Sequence, residues 1–350
     1  MTTRAGGGRT YAAEGATSND GEGEQMTWLV TGGAGYIGSH VVRALRDADL
    51  PVVVLDDLST GLEAFVPPGV PLVRGTLLDT ELITQTLREH RVTGVIHIAG
   101  FKYAGVSVRE PLHTYEQNVT AMVNLLKAMT SVGTDKLVFS SSAATYGTPD
   151  VDTVTEQTPT TPESPYGVSK LVGEWILRDV AHATELRHTS LRYFNVVGSG
   201  APELFDVSPH NLFPVVFDML YRGETPRING NDYPTPDGTC VRDYVHVSDL
   251  AAAHVAAAQR LDAGAPVEAV YNLGSGNGTS VREIMTAIRE VTGVDFEPTV
   301  GPRRPGDPAR IVASKDLAGR DLDWQMRHSL EEMVRSAWVA RRQAGEAYPG

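Results

Sequence analysis

Cysteine is almost missing from this chain of 350 residues, which carries only Cys240. An intrachain disulfide and any multi-cysteine zinc or iron–sulfur centre are thereby excluded, no metal is expected, and a reducing compartment fits. No apolar run approaches the roughly 18 residues of a membrane span, and the first residues lack the apolar stretch of a secretory signal. A cytoplasmic location is expected. Positive charge is scarce as well. Lys and Arg total 30 against 43 Asp and Glu, a formal charge of −13, which repels a phosphate backbone unless the basic residues cluster. Nucleic acid is not an expected partner, and neither is a membrane.

Residues 1–25 hold six glycines and no Leu, Ile, Val, Phe or Trp, too little apolar surface to offset the entropy of ordering. A disordered tail is expected there, with Met26 as a natural start. The remainder is ordinary in composition, 41% hydrophobic and 21% charged. At about 150 residues per domain, that supports two domains or one large α/β unit with an appended lobe.

From Thr27 short apolar runs alternate with longer amphipathic stretches. Residues 27–31, 51–55, 71–73, 94–98, 136–140 and 187–193 read as strands, and 36–48, 80–90, 114–132 and 166–183 as helices. Such alternation gives right-handed βαβ crossovers and a doubly wound parallel sheet of the Rossmann type. Past about residue 196 the cadence is interrupted by frequent Pro and Gly, and a smaller C-terminal α/β lobe is expected.

The first strand runs into TGGAGYIG, which spaces Gly32, Gly35 and Gly38 as GxxGxxG at the start of a helix. Missing side chains there permit a tight turn, close approach of a pyrophosphate and helix-to-strand packing, while the helix N-terminus offers free N–H groups to the anion. The second strand is followed by Asp56, 18 residues after Gly38. A carboxylate at that point accepts both hydroxyls of an adenine ribose and repels a 2′-phosphate, so NAD is favoured over NADP. Further on, Tyr166 and Lys170 stand four apart behind Pro165, on one face of a helix. An ammonium beside a phenol favours the phenolate and is expected to lower its pKa. Ser142 follows a strand in KLVFSSS, where the carboxyl ends of parallel strands form a ligand crevice. Each motif alone is compatible with an ordinary turn or a solvent-facing pair.

Together these features resemble the extended short-chain dehydrogenase/reductases. Longer strings narrow the resemblance: TGGAGYIGSH at 31–40, FSSSAATYG at 139–147, SPYGVSK at 164–170, LRYFNVVG at 191–198, GNDYPTPDGTCVRDYVHV at 230–247, YNLGSG at 271–276 and RRPGD at 303–307. In that order and spacing they resemble the UDP-glucose 4-epimerase family. The resemblance implies an isomerase that inverts C4 of UDP-glucose and UDP-galactose through a 4-keto intermediate, with transient hydride transfer to tightly bound NAD. It further implies an NAD-binding domain over 26–195, to which some later segments return, and a mainly nucleotide-sugar-binding domain over 196–350.

Site roles follow from the same resemblance. Tyr166 would be the base, Lys170 would hold the nicotinamide ribose, and Ser142 would relay or orient the proton. NAD would be lined by Gly32, Gly35, Tyr36, Ile37 and Gly38, by Asp56, Asp57, Leu58, Ser59, Thr60 and Gly61, and by Thr76, Leu77, Ile98, Ala99, Gly100 and Lys102. Asn118, Ser140 and Phe194 complete that set. The substrate would meet Lys102, Ser142, Tyr166, Asn195, Asn211, Leu212, Arg227, Ile228, Asn229, Arg242, Arg304, Asp307 and Ile311. Guanidinium forks suit a diphosphate independently of any resemblance.

Some positions depart from the family's pattern. Thr76 stands where an adenine-contacting Asp is common, Asp57 replaces a common Asn, and SSSAATYG stands for SSSATVYG. Ile311 occupies the sugar-gate position, where a branched residue would crowd a 2-acetamido group. Competing readings are an epimerase or dehydratase acting on another nucleotide sugar, such as a UDP-N-acetylhexosamine or UDP-uronate, and a non-catalytic NAD-binding regulator. The acidic pair of 4,6-dehydratases is absent from Ser142-Ala143-Ala144. The helices over 114–132 and 166–183 resemble the pair that forms a homodimer interface in relatives.

Overall fold

A computed structural model describes residues 1–2, 26–304 and 308–347. The tail expected over 1–25 lies, beyond its first two residues, outside the described residues, and so does Asp307. The first half runs β1 (Thr27–Thr31), α1 (Tyr36–Asp47), β2 (Val52–Asp56), β3 (Leu72–Arg74), α2 (Thr80–Glu89), β4 (Val92–His97), α3 (Ala104–Ser107), α4 (Pro111–Tyr115), α5 (Ala121–Val132), β5 (Lys136–Ser140), α6 (Pro165–Ala183) and β6 (Arg187–Tyr193). The second half continues β7 (Asn195–Val197), α7 (Leu212–Tyr221), β8 (Arg227–Asn229), β9 (Val241–His246), α8 (Val247–Asp262), β10 (Val270–Leu273), β11 (Gly278–Ser280), α9 (Val281–Thr292), β12 (Thr299–Gly301), β13 (Arg310–Ile311), α10 (Asp316–Leu322) and α11 (Leu330–Ala347).

Seven strands form one parallel sheet in the order β10-β6-β5-β4-β1-β2-β3. Both faces are covered, which is why its strands are near-continuous runs of Val, Ile and Leu. Alternate residues sort into two cores. Trp28, Val30, Val54, Ile96 and Val138 pack under α1 and α8, while Leu29, Val53, Leu55, Val95 and Leu137 pack under α2, α5 and α6. Strand order reverses at β1, so the connections leaving β1 and β4 diverge and open a crevice at their carboxyl ends. That crevice positions the site.

Two expectations change. The single helix read over 114–132 is α4, a π-helical turn over Glu116–Thr120, and α5. Beyond residue 196 the βα cadence returns: α8 covers one face of the sheet and the four-residue β10 extends it beside β6. In the rest of the second half, β9 pairs with β7, β11 and β13. Here Phe213, Phe217, Ile284, Ile288, Met333 and Val334 form a core between α7, α9 and α11.

At the amino ends of the strands, opposite the crevice, Asp262 closes α8 onto β1 and β5. Its Oδ2 accepts from Trp28 Nε1 at 2.9 Å, and its Oδ1 lies 3.0 Å from Lys136 Nζ, with both ionic side chains about 10% exposed. Removing one member of such a buried pair strands the other charge, a loss of about 3–5 kcal/mol. Asp262→Ala should therefore lower the unfolding free energy by that amount in denaturant titration, while the folded fraction keeps its parent kcat, because the cleft is at the other end of the strands.

Candidate active site

The glycine turn is forced by its surroundings. Gly32 has φ +73°, and a Cβ there would lie 2.8 Å from Ala99 N; one at Gly38 would lie 2.0 Å from Gly32 O. The chain from β1 thus passes directly against the chain from β4 before α1 begins. Asp56, at the end of β2, accepts from Ala34 N at 2.9 Å and Leu58 N at 2.8 Å. Burial raises its carboxyl pKa, while the two backbone donors act in the opposite direction. A carboxylate has about four lone-pair directions, so acceptor capacity is left for the hydroxyls of a ribose.

Beneath this loop lies a cleft of ≈ 350 Å³ that runs from Asp56 and Asp57 to Tyr166 and Lys170. It is lined by Gly32, Gly35, Tyr36, Ile37, Gly38, Ser59, Thr60, Gly61, Thr76, Leu77, Ile98, Ala99, Gly100 and Lys102. Four expected residues lie elsewhere. Leu58 sits in a left-handed turn with φ +58° and contributes its backbone N–H to Asp56. Asn118 spends its amide on Phe101 N, Phe101 O and Ser169 Oγ, pinning the loop after β4 to α6. Ser140 Oγ contacts His254 Nε2 at 2.8 Å, and its carbonyl meets Lys170. Phe194 belongs to the neighbouring pocket.

Tyr166 occupies the first turn of α6. Pro165 opens the helix and Ser164 caps it by accepting from Gly167 N at 3.2 Å. One turn on, Lys170 Nζ donates to Ser140 O at 2.9 Å and lies 4.9 Å from the Phe139 ring centre and 5.9 Å from that of Tyr166. The Ser142 hydroxyl lies beside the phenol and acts to lower its pKa. Ser142 itself is held by its hydroxyl, which accepts from Ala144 N at 3.1 Å in a short 3₁₀ turn.

A second pocket of ≈ 280 Å³ continues from the first: Tyr36, Ile37, Lys102, Tyr166 and Tyr193 line both. Ser142, Phe194, Asn195, Asn211 and Leu212 complete its near side. A third pocket, ≈ 510 Å³, shares Asn195, Asn211 and Leu212 with the second and adds Arg227, Asn229, Arg242, Arg304 and the buried Cys240. Of the residues expected at the substrate, Ile228 instead points into the core of the second lobe, since alternation along β8 turns only Arg227 and Asn229 outward. Ile311 pairs in register with Arg242 but packs behind Phe194 with Tyr146 and Val154, away from the pocket lining. Sequence reasoning did not single out Tyr193, which lines two pockets, nor Tyr103, Asp206 and Arg341. Tyr193 was within reach, since it stands next to Phe194 in a string already noted.

Residues 28–274 match the NAD dependent epimerase/dehydratase family. The chain belongs to that family. It is 46% identical over 314 residues to a UDP-glucose 4-epimerase of Azospirillum brasilense, covering 88% of this chain and 90% of the relative. Among solved structures, the UDP-glucose 4-epimerase of Bifidobacterium longum in complex with NAD+ and UDP superposes with a TM-score of 0.85 at 35% identity, covering 92% of this chain and 100% of that one. The UDP-Glc/GlcNAc 4-epimerase of Campylobacter jejuni gives a TM-score of 0.80 at 35% identity, covering 91% and 99%.

Like its family, the chain uses NAD, and the residues present fit it: a side-chain-free loop at a helix N-terminus, a carboxylate at the ribose end and a buried ammonium at the other. The expected acidity of the phenol is corrected. In the NAD-free chain burial raises the Tyr166 pKa and the neighbouring Ser142 hydroxyl only partly offsets this. Burial also lowers the Lys170 pKa from 10.5 to about 8, with Glu174 opposing it.

That lowering has a measurable sign. The unfolded lysine titrates near 10.5 and the folded one near 8, so between these values the unfolded chain holds more protons and stability rises with pH. The burial cost is fully present below pH 8 and gone above about 10.5; its full span is about 3 kcal/mol. Denaturant titrations of the NAD-free chain and Lys170→Met should show the parent gaining on the variant by that order between pH 7 and 10.5. Parallel stability curves would contradict it.

Proposed function

We propose that the chain interconverts UDP-glucose and UDP-galactose by reversible inversion at C4, in the cytoplasm, with NAD bound throughout turnover. The observation that carries this reading is the placement of Tyr166, whose side chain lines both the dinucleotide cleft and the adjoining pocket at the foot of the arginine-lined third pocket. A sugar joined to a diphosphate that is held by Arg227, Arg242 and Arg304 reaches the phenol through that second pocket.

When bound, NAD accepts a hydride from C4 and returns it, so net oxidation is zero. This chain supplies the rest. Tyr166 takes the C4 hydroxyl proton, either directly or through Ser142, as a C4 carbonyl forms, and gives it back when the carbonyl is reduced. Lys170 holds the nicotinamide ribose and places a positive charge near the phenol, favouring the phenolate that burial alone disfavours. Lys102, shared by the two pockets, adds a second cation. One side of the middle pocket is aromatic and aliphatic, formed by Phe194, Leu212, Phe213 and Phe217, and offers the ketose no fixed hydrogen bond as it turns about its linkage to the anchored UDP before the proton and hydride return on the other face.

Incubation with UDP-galactose and no added NAD should yield UDP-glucose. A 4-keto-6-deoxy product would indicate a dehydratase, and no product a binding protein. Tyr166→Phe should reduce kcat by about 10²–10⁴-fold without loss of bound NAD; an equally active variant would refute the assignment. Parallel assays with UDP-N-acetylgalactosamine test the substrate range.

The functional unit is proposed to be a homodimer. The outer faces of α4 and α6 expose Leu112 by 82% and Trp175 by 48%, large apolar groups whose covering would contribute about 25 cal/mol per Å². Sedimentation should give twice the chain mass for the parent and a monomer for Trp175→Glu. A monomeric parent would reject the dimer.

A further inference from the structure

The short loop after β7 is held at three consecutive residues by side chains from two other elements. Gly198 O accepts from Tyr36 OH at 2.5 Å, Ser199 N donates to Ser336 Oγ at 3.1 Å, and Gly200 N donates to His40 Nε2 at 2.9 Å. Tyr36 and His40 stand on α1, the helix that begins at the dinucleotide loop; Ser336 stands on α11. The fit is tight on the remaining side, where a Cβ at Gly198 would meet His246 Cδ2 at 2.3 Å. His40 is only 4% exposed. Its Nδ1 is taken up by Tyr36 O at 2.7 Å, which makes Nδ1 the donor and leaves Nε2 as the acceptor that Gly200 needs. Burial lowers its pKa to about 4, so that tautomer persists at neutral pH.

The clamped loop continues β7, and Asn195, Val196, Val197 and Gly198 all line the middle pocket. We propose that His40 and Ser336 are positioning residues that lock this wall to the start of α1 on one side and to α11 on the other, so that the sugar pocket keeps its place relative to the dinucleotide while the ketose turns. Neither lines the dinucleotide cleft or the two pockets that continue from it. A loose wall would bind the hexose less well and would let the oxidised sugar leave before its hydride returns, stranding the cofactor in its reduced form. The inference rests on the proposed epimerase reading.

The test is Ser336→Ala in the NAD-loaded protein, with Ser336→Thr as the rescue and His40→Phe as a second break in the clamp. Loss of one neutral hydrogen bond predicts a KM for UDP-galactose raised roughly two- to tenfold, with kcat within about a factor of two. The absorbance of reduced nicotinamide should accumulate faster per turnover in Ser336→Ala than in the parent. Amide exchange at residues 199 and 200 should accelerate, and Ser336→Thr should restore all three readouts. Unchanged KM, reduced-cofactor build-up and amide exchange in Ser336→Ala would overturn the proposal, even with a lowered Tm. If the parent binds UDP-galactose but does not epimerise it, the epimerase reading fails by itself, and amide exchange still decides whether the clamp exists.

Discussion

At the carboxyl ends of the central strands the fold buries a guanidinium against a carboxylate. Arg192, on β6, donates through Nε and Nη2 to Glu174, on α6, at 2.8 and 2.5 Å, with each side chain 6% exposed. Desolvating two ions costs several kcal/mol each, and their attraction offsets this only if the remaining donors and acceptors are satisfied. They are. Ser141 Oγ donates to Glu174 at 2.5 Å, Arg192 Nη1 donates to Tyr146 OH at 2.9 Å, and that hydroxyl donates to Asn272 on β10 at 2.8 Å. The network ties together β5, α6, β6 and β10, which carry Ser142, Tyr166, Lys170 and Asn195 on or beside them. Partly satisfied, such a network would be worse than an apolar core. Satisfied at each of its members, it fixes one arrangement of the groups that do the chemistry.

The same burial sets the protonation of the working pair. It raises the phenol of Tyr166 and lowers the ammonium of Lys170, because a medium of low polarity disfavours whichever form is charged. The resting pair is therefore a neutral phenol beside a lysine that holds its proton less firmly than usual. Glu174 is one turn beyond Lys170 and opposes its neutralisation, so the buried ion pair also sustains the charge on the lysine. A positively charged nicotinamide entering this cleft would act on the phenol with little screening, which links the ionisation of the base to the presence of an oxidised cofactor.

Local spacing made part of this legible. A strand end with an acidic residue 18 positions beyond the third glycine, and a Tyr and Lys one helical turn apart, depend on geometry that the chain carries within a few dozen residues. Asn118, Ser140 and Ile228 are of suitable type for ligand contact, yet their direction depends on a π-helical turn, a packed histidine and the pleat of a three-residue strand. None of these is a property of the residue itself. Tyr103, Asp206 and Arg341 reach the pockets from loops and from the last helix, and their meeting is a tertiary event with no local periodicity. The short β10 was hidden for a related reason: four residues leave too little pattern to mark a strand, although its position beside β6 completes the sheet.

The three pockets differ in chemistry along their length, and that gradient bears on how one site can bind both epimers. At the dinucleotide end, backbone N–H groups and Asp56 offer fixed hydrogen bonds. At the opposite end, Arg227, Arg242 and Arg304 offer charge. Between them rings and aliphatic side chains share the walls with Lys102, Ser142, Tyr166, Asn195, Asp206, Asn211 and Arg341. A pocket that hydrogen-bonded every sugar hydroxyl would bind one C4 configuration and leave polar groups unpaired against the other, a penalty of about 1–3 kcal/mol for each stranded group. Concentrating affinity in the diphosphate avoids that penalty and adds nothing to the barrier for turning the ring. Confinement must then come from the shape of the walls, which places the demand for rigidity on the backbone around the sugar instead of on contacts with its hydroxyls.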